Sequence, residues 1–573
     1  MENVEIAARL EEMADLLEIT GANPFRVRAY RNAARTVQDH STPMRTMVAA
    51  GEDLTALPAI GKDMARYIGE LVVKGSLSVL EDLAEEVPRS LVELMKLPGL
   101  GPKRARKLWE ELGIETVADL RRAAEAHEVQ QVEGLGAKTE ERLLKGIAAL
   151  EKRQGRMLLS EADQMVEPLL AWLREHEDVS RVEVAGSFRR RMETVGDIDL
   201  LAIAEDADAV MTHFTSYARV RTTEMSGPTR ATVILDNGLQ VDLRILPPGD
   251  YGAALQYFTG SKEHNIALRT RAVKQGLKVS EYGVFREEER VAGETEEDVY
   301  RALGLAWMPP ELRENRGEIE AAAEGRLPRL IAVDDLRGDL QMHSTWSDGK
   351  NSIREMVEAC RARGYDYMAL TDHSKNLAMT GGLDAKRLRK QLVELDEVRE
   401  QVPGIHILRS MEIDILRDGS LDLEDELLAE LDLVLISVHT MLDLPKDAQT
   451  RRVLKAMAHP AVHVVAHPTG RLINQREPIN VDIDDLVACA REHHVALECN
   501  AHPNRLDLRD THLIAAREAG VMITISTDSH RTRELDLIHY GVEQARRAWI
   551  EPEHVLNTRL LKDVQAWLEV KGI

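Results

Sequence analysis

The chain has 573 residues, of which 44% are hydrophobic and 30% are charged, and its formal net charge is -24. This composition is typical of a globular protein of several domains and excludes a disordered chain, and the acidic balance excludes a protein that coats nucleic acid through its overall charge. No apolar run approaches the roughly 18 residues that a membrane span needs, and the three cysteines lack metal-binding spacing. We therefore expect a cytoplasmic monomer that does not bind membranes.

Residues 1–150 are predicted to be helical, because apolar residues recur at helical spacing between short turns. Three turns resemble one another: LPAIGK at 57–62, LPGLGPK at 97–103 and VEGLGAK at 132–138. One such turn indicates an ordinary helical hairpin as readily as a binding site, but three copies favour backbone N–H groups that grip phosphates. The candidate contacts with a sugar-phosphate backbone in these turns are Lys62, Gly99, Gly101, Lys103, Gly134 and Gly136, and Lys138 lies in the same place in the third turn.

Residues 151–246 are predicted to form an α+β domain, with β-type runs at 181–184, 200–203, 231–235 and 241–245. Asp197 and Asp199 are two residues apart on a β-run and so face the same side, and Asp242 lies on a later run. An isolated pair of this kind is more often a solvated strand end. The preceding Gly186-Ser187 turn and the third carboxylate instead favour a site for two Mg²⁺ or Mn²⁺ ions, as phosphoryl transfer to a hydroxyl requires.

A mixed segment covers residues 247–315, and the charged residues 316–335 are predicted to be a linker. Residues 336–573 alternate β-type runs with amphipathic helices, which predicts a parallel sheet or barrel. A lone histidine is more often a structural group than a ligand. Here, however, residues of metal-binding type cluster at the start of this segment and at the ends of later β-runs, where (β/α) barrels build their active sites. They are His343, Asp348, His373, Glu412, His439, His467, Asp528 and His530, and Asn500, His502 and Arg505 are weaker candidates for phosphate contacts.

The motifs GSFRRR, GDIDLL, VDLRI and YFTGSKEHN occur in the order found in X-family DNA polymerases, which the chain resembles over about residues 1–315. The resemblance implies a helix-hairpin-helix N-terminal region, including an 8-kDa-like part, followed by a nucleotidyltransferase palm with a thumb. It implies that Asp197, Asp199 and Asp242 are the catalytic metal ligands. It also implies that Gly186, Ser187, Arg190, Gly196, Tyr257, Phe258, Gly260 and Asn265 bind the nucleotide, with Arg244 and Arg269 near primer and template. Arg66 and Tyr67 replace the lyase lysine of some members, so no strong lyase activity is expected by that route.

From about residue 336 to its end the chain resembles the PHP phosphoesterases, which implies a distorted (β/α)7 barrel with up to three Zn²⁺, Mn²⁺ or Fe²⁺ ions. The implied first site is Gln341, His343, Glu412 and Asp528. Glu412 would bridge to a second site with His439 and His467, and Asp348, His373 and His530 would form a third. The family's HxH reads Gln341-Met-His343 here, and a neutral amide oxygen is a poorer ligand than imidazole.

Together these features predict a DNA polymerase for gap-filling repair, with a metal-dependent 3'-5' exonuclease and AP endonuclease activity in the PHP domain. The expected partners are gapped or primer-template DNA and dNTPs. Two alternatives stay open. The PHP domain is structural or regulatory in one, and the chain is a small-molecule phosphatase fused to a nucleotidyltransferase in the other.

Overall fold

The computed structural model describes residues 3–39, 44–95, 97, 99–153, 156–377 and 380–570. The chain divides into two compact units, Met1–Gln154 and Gly155–Ile573. The predicted palm, thumb and barrel therefore share one compact unit. Within the described ranges, no helix is both long enough and apolar enough to cross a bilayer.

The first unit is helical throughout its described part, as the periodicity predicts. Its amphipathic helices bury one continuous apolar core that includes Leu10, Tyr30, Leu71 and Leu108. Gly75 and Gly113 end two of the helices in the left-handed conformation that glycine adopts most easily. The helices are α1 (Asn3–Ile19), α2 (Pro24–Asp39), α3 (Met44–Ala49), α4 (Lys62–Lys74), α5 (Ser78–Glu86), α6 (Leu91–Met95), α7 (Pro102–Leu112), α8 (Val117–Glu125) and α9 (Ala137–Arg153).

The palm is a five-stranded mixed sheet with the order β2-β4-β7-β6-β5, and β1 pairs with β3 beside it. Alternating apolar residues such as Ile198, Leu200 and Val241 pack under helices α10 and α12. The four predicted β-runs all lie within these strands. The elements are β1 (Met157–Leu158), α10 (Leu159–Arg174), β2 (Val179–Val184), α11 (Gly186–Arg189), β3 (Thr194–Val195), β4 (Asp197–Ala204), α12 (Ala207–Thr215), β5 (Val220–Ser226), β6 (Arg230–Leu235) and β7 (Gln240–Ile245).

The thumb combines helices with a three-stranded antiparallel sheet of order β10-β9-β8. The expected linker at 316–335 is folded. The segment contains a short helix, and Ile331 is fully buried in the barrel core. Its few apolar residues pack against neighbouring elements without forming a periodic face, so the sequence showed no helical pattern. The elements are α13 (Tyr251–Thr259), α14 (Lys262–Lys274), β8 (Lys278–Ser280), β9 (Gly283–Arg286), β10 (Glu289–Ala292), α15 (Glu296–Ala302) and α16 (Glu318–Glu324).

The C-terminal half is a seven-stranded parallel sheet in simple sequential order, β11 to β17. A parallel bridge between Met342 and Ser529 joins the chain after its first strand to the chain after its last. The sheet is thereby nearly closed into a barrel. Its elements are β11 (Gly338–Asp339), α17 (Ile353–Ala362), β12 (Tyr367–Leu370), α18 (Ala385–Gln401), β13 (His406–Asp414), α19 (Asp425–Leu428), β14 (Leu433–Ser437), α20 (Lys446–Met457), β15 (Val464–Val465), α21 (Ile483–Glu492), β16 (Ala496–Asn500), α22 (Asp510–Glu518), β17 (Ile523–Ser526), α23 (Ile538–Arg547) and α24 (Leu561–Glu569).

Palm and barrel share an apolar core. Ile473, Leu506 and Tyr540 of the barrel belong to the same buried cluster as the palm residues around Leu170 and Phe214. Burial of apolar side chains is the main favourable term in such an association. The barrel therefore packs directly against the palm through apolar side chains, in addition to the chain connection between them.

Candidate active sites

The three palm carboxylates lie on two neighbouring parallel strands. In the register of β4 and β7, Asp199 stands directly opposite Asp242, and Asp197 shares the face of Asp199 because strand side chains alternate. The exposure rises from Asp242, which is buried, to Asp197, which is exposed. The strand pairing thus gathers the predicted catalytic residues on one patch of the sheet.

Asp242 is held in place by three donors. Its Oδ1 accepts from the Thr232 hydroxyl at 2.5 Å and from Arg230 at 3.3 Å, and its Oδ2 accepts from the Gln240 amide at 2.8 Å. Burial raises the pKa of Asp242, but these donors outweigh it and the net pKa is lowered. The carboxylate is therefore ionised and fixed in direction.

The pKa of Asp199 is shifted in the opposite direction from that of Asp242. Burial, together with repulsion from Asp197 and Asp242, raises its pKa to about 6, against a smaller opposing effect of Arg244. Crowded carboxylates with too little positive charge favour cations. An all-oxygen ligand set suits Mg²⁺ or Mn²⁺, so the residues fit the divalent ions expected there.

The turn before β4 approaches these carboxylates closely because its first residue is glycine. Gly186 has a φ of +64°, and a Cβ on it would lie 2.9 Å from Oδ2 of Asp199. Ser187 follows in the short helix α11, and Gly196 lies just before β4. The predicted nucleotide-binding turn is therefore beside the predicted metal ligands.

The two arginines after this turn contact the thumb. Arg190 donates from Nη1 to the Thr259 carbonyl at 2.8 Å and from Nε to Glu314 at 2.9 Å. Arg189 pairs with Glu296 at 2.7 Å. In this state Arg190, predicted to bind the triphosphate, has two of its donor groups engaged by the thumb.

The YFTG segment uses Asn265 to hold its own shape. The Asn265 amide donates to the carbonyl of Tyr257 at 2.7 Å and of Gly260 at 3.3 Å, and its oxygen accepts from Gln256 at 3.0 Å. A Cβ on Gly260 would lie 2.6 Å from that oxygen. The Asn265 side chain was predicted to contact the base pair, but here its amide forms hydrogen bonds within the YFTG segment.

The flanking residues lie as follows. The half-buried Phe258 ring stacks against the Arg244 guanidinium, 4.6 Å from its centroid, and Arg269 is exposed on α14. Arg244 stands opposite Arg230 in the sheet. Both arginines lower the pKa of Asp199 and so lie within electrostatic range of the carboxylates.

In the first unit, the three similar turns have one geometry. In each, an N–H donates to the carbonyl three residues earlier at 3.0–3.2 Å. Gly99 and Gly134 have φ of +85° and +86°, and Ala59 takes the equivalent position at +59°. Pro98 lies outside the described residues. Gly61, Gly101 and Gly136 each precede a helix, and Lys62, Lys103 and Lys138 are exposed at the starts of those helices.

Glu412 is the centre of the barrel site. Its Oε1 faces Nε2 of His467 at 2.8 Å and of His439 at 3.4 Å. Its Oε2 faces Nδ1 of His373 at 3.2 Å and Nε2 of His343 at 3.5 Å. Burial raises the pKa of Glu412, but His373, His439 and His467 outweigh it and hold the pKa well below its usual value. One carboxylate thus faces histidines on both sides.

Two further carboxylates complete the cluster. Asp528 lies 3.0 Å from His343, and Asp348 lies 3.3 Å from His530 and 3.6 Å from His373. The ligand atoms of three sets approach within 4.8 Å of one another. These sets are His343, Asp348, His373 and His530; His373, Glu412 and His439; and His343, Glu412 and Asp528.

The cluster leaves buried polar atoms without partners. Among the described residues, both oxygens of Glu412 and Nδ1 of His343 and His467 are buried and have no well-aligned hydrogen-bond partner. Such orphaned groups cost free energy unless an ion or water satisfies them. Imidazole with carboxylate suits Zn²⁺, Mn²⁺ or Fe²⁺, so these residues fit a group of divalent metals.

Gln341 has a partner that the sequence did not predict. The hydrogen-bonding pattern assigns its amide nitrogen to the side of Glu498, 3.0 Å from Oε2, and its oxygen to the side that faces donors. Glu498 is fully buried on β16 and also accepts from the backbone N–H of His467 at 2.7 Å. Burial and the nearby Asp528 raise its pKa well above the usual value.

Comparison with known proteins agrees with this geometry. Family models match four segments: "Helix-hairpin-helix domain" at 1–77, "SAM-like Helix-hairpin-helix tandem" at 91–149, "DNA polymerase beta thumb" at 254–314 and "PHP domain" at 339–502. The chain is 39% identical to "DNA polymerase/3'-5' exonuclease PolX" of Bacillus subtilis, over 99% of this chain and 100% of that protein. The chain belongs to the PolX family.

Two further relatives match one part of this PolX chain each. DNA polymerase lambda of Rattus norvegicus is 25% identical over 54% of the chain and 56% of that protein. A probable phosphatase of Thermoanaerobacter is 26% identical over 39% of the chain and 89% of that protein. The expected family, the multidomain fold with its PHP barrel and the enzyme class are thereby confirmed.

Two residues of this PolX site were missed, although the sequence carries a signal for both. Asp414 lies two residues after Glu412 on β13, and its Oδ1 accepts from the backbone N–H of His439 at 3.2 Å. Glu498 interrupts an apolar β-run. An acidic residue at strand spacing from a ligand, or inside a buried strand, indicates a role in holding ligands.

Proposed function

We propose that the chain extends DNA primers at the palm site to fill gaps during repair, and that its barrel removes nucleotides in the 3'-5' direction. The observation that carries this proposal is the presence of both ligand clusters in one chain that is similar over its whole length to a polymerase with exonuclease activity. Neither site has lost its carboxylates.

In the palm, Asp197 and Asp199 would hold ions beside the triphosphate and Asp242 the ion nearest the primer 3'-hydroxyl. Divalent ions bound there supply charge neutralisation and activation of the attacking oxygen. Thr232, Gln240 and Arg230 keep Asp242 ionised and correctly aimed. The Gly186 backbone and the Ser187 hydroxyl would bind the triphosphate, with Arg190 free to join once it leaves Thr259 and Glu314.

In the barrel, Glu412 would be shared between two ions, with Asp348, His373 and His530 around a third. Arg505 lies beside the cluster, with Nε 3.6 Å from Oδ2 of Asp528, and is partly exposed. Its positive charge would bind the scissile phosphate. The same site would cut abasic DNA if a sugar without a base reaches it, which is the expected AP endonuclease activity.

DNA binding would come from the three helix-hairpin-helix turns, since backbone amides at helix starts and exposed lysines contact phosphates without reading bases. The expected partners are therefore gapped or primer-template duplexes of any sequence, together with dNTPs. We propose Mg²⁺ or Mn²⁺ for the palm and Zn²⁺, Mn²⁺ or Fe²⁺ for the barrel.

One primer-template assay, run with and without dNTPs, tests both halves. Asp197→Ala should abolish extension and spare degradation, and Glu412→Ala should do the reverse. Glu205→Ala, an exposed carboxylate just after the same palm strand, and Glu400→Ala, exposed on α18, are the matched controls. Extension by Asp197→Ala would refute the palm assignment. Full 3'-5' degradation by Glu412→Ala would favour a structural role for the barrel. If the parent protein hydrolyses only small phosphomonoesters, the phosphatase alternative is favoured.

A further inference from the structure

The turn at residues 186–193, called here the Gly186 turn, is anchored on two sides. Its first residue approaches Asp199 in the palm. Its last residue, Glu193, forms a two-pronged ion pair with Arg471 of the barrel, with N–O distances of 2.7 and 3.2 Å. The Arg471 side chain is 7% exposed and that of Glu193 is 20% exposed. A bidentate pair with so little water around it fixes geometry as well as charge.

Arg471 is itself held by the barrel. Its Nε donates to the carbonyl of Arg505 at 2.8 Å, and its Nη2 donates to the carbonyl of Leu506 at 2.6 Å. Leu506 and the neighbouring Ile473 are buried in the palm core. Arg471 therefore cannot move without disturbing the barrel loop that presents Arg505.

The residues between the two ends of the turn also contact the barrel. The Arg190 carbonyl accepts from Arg547 at 2.8 Å. The Arg191 guanidinium lies 2.8 Å from Glu543. Three of the four residues from 190 to 193 thus contact barrel side chains.

We propose that Arg471 is a positioning residue for nucleotide addition: by gripping Glu193 it holds the Gly186 turn at the distance from Asp199 that the incoming triphosphate requires. The barrel then serves the polymerase reaction through a contact that is separate from its own metal cluster. The inference rests on the proposed function, because it assumes that the turn binds the triphosphate.

The test is steady-state dNTP incorporation by the full-length protein. Glu193→Gln removes the palm charge but leaves the bonds from Arg471 to the barrel carbonyls. We expect the KM for dNTP to rise about tenfold, since a hydrogen bond to a charged group is lost, with a smaller change in kcat and unchanged 3'-5' degradation. Arg471→Met should also raise the KM, though by less than Glu193→Gln, because Arg509 still lies 3.5 Å from Glu193. Arg471→Lys should raise it least, and the double variant Glu193→Gln/Arg471→Met should have a KM no higher than that of Glu193→Gln.

Glu311→Gln is the matched control. Glu311 lies outside the turn but also pairs with a barrel arginine, Arg546, at 2.6 Å, so its loss reports general loosening of the interface. An unchanged KM in Glu193→Gln and Arg471→Met, additive effects in the double variant, or an equal KM rise in Glu311→Gln would each overturn the proposal. Failure of the proposed function would look different, because the parent itself would then incorporate no dNTP.

Discussion

Glu296 at the palm–thumb junction carries a sharp prediction. Its carboxylate, 5% exposed, pairs with Arg189 at 2.7 Å and with the fully buried Arg313. Burial raises the pKa of Glu296, but Arg313 and Arg189 outweigh it and lower the pKa from 4.5 to about 2. That difference corresponds to about 3 kcal/mol of stability. Glu296→Gln removes this term and leaves a buried arginine without its counter-charge, so we expect a loss of about 3 kcal/mol or more.

Amide hydrogen exchange of peptides from residues 251–314 measures this loss locally. Exchange in Glu296→Gln should be roughly 100-fold faster than in the parent at pH 7, whereas Glu297→Gln, exposed on the same helix, should match the parent. Because the folded pKa lies below the unfolded one, the contribution is complete above pH 4.5 and is lost as the pH falls through 2. Urea titrations should therefore show that the difference in free energy of unfolding between the parent and Glu296→Gln is about 2 kcal/mol smaller at pH 3 than at pH 7. Equal exchange in both variants would refute the reasoning.

Three further predictions concern the individual sites. Thr232→Val removes the hydroxyl that aims Asp242 and should slow primer extension about tenfold without affecting degradation; Thr232→Ser should keep the rate, and equal rates in the two variants would contradict the role. Gln341→His should raise the metal content per chain after gel filtration, measured by elemental analysis, because imidazole is the better ligand; unchanged content would show that this position does not bind metal. Lys103→Glu should weaken DNA binding equally for different sequences and reduce the magnitude of the slope of log affinity against log salt concentration by about 1 or more. Fluorescence anisotropy at several salt concentrations would measure both effects. A loss of affinity that depends on the DNA sequence would contradict contact with phosphates alone.

Residues with local signals were predictable from the sequence. Asp197 and Asp242 each lie at or near the start of an apolar β-type run, and the structure places both aspartates on paired strands. Most of the predicted barrel ligands follow apolar runs, and the parallel topology gathers such run ends at one face. In both cases a short pattern and a general rule about sheets suffice.

Contacts between distant segments were not predictable in this way. The sequence gives no sign that Arg190 would donate a hydrogen bond to the Thr259 carbonyl, 69 residues away in the thumb. The Gln341 contact with Glu498 joins the first and sixth barrel strands. Such pairings depend on three-dimensional packing and on hydrogen-bond competition, and Glu193 lies between the motifs GSFRRR and GDIDLL without belonging to either.

The shared core of palm and barrel has a consequence for how the protein is made. The Tyr540 hydroxyl donates a hydrogen bond to Asp163, which lies 377 residues earlier in the chain. At synthesis rates of about 5–20 residues per second, Tyr540 is made on the order of 20–75 s after Asp163. During that time the nascent palm exposes apolar surface and the charged groups of Asp163, Arg191 and Glu193 that the barrel later covers. We therefore expect truncations that end near residue 315 to aggregate during expression, and co-expression of the missing half to rescue them.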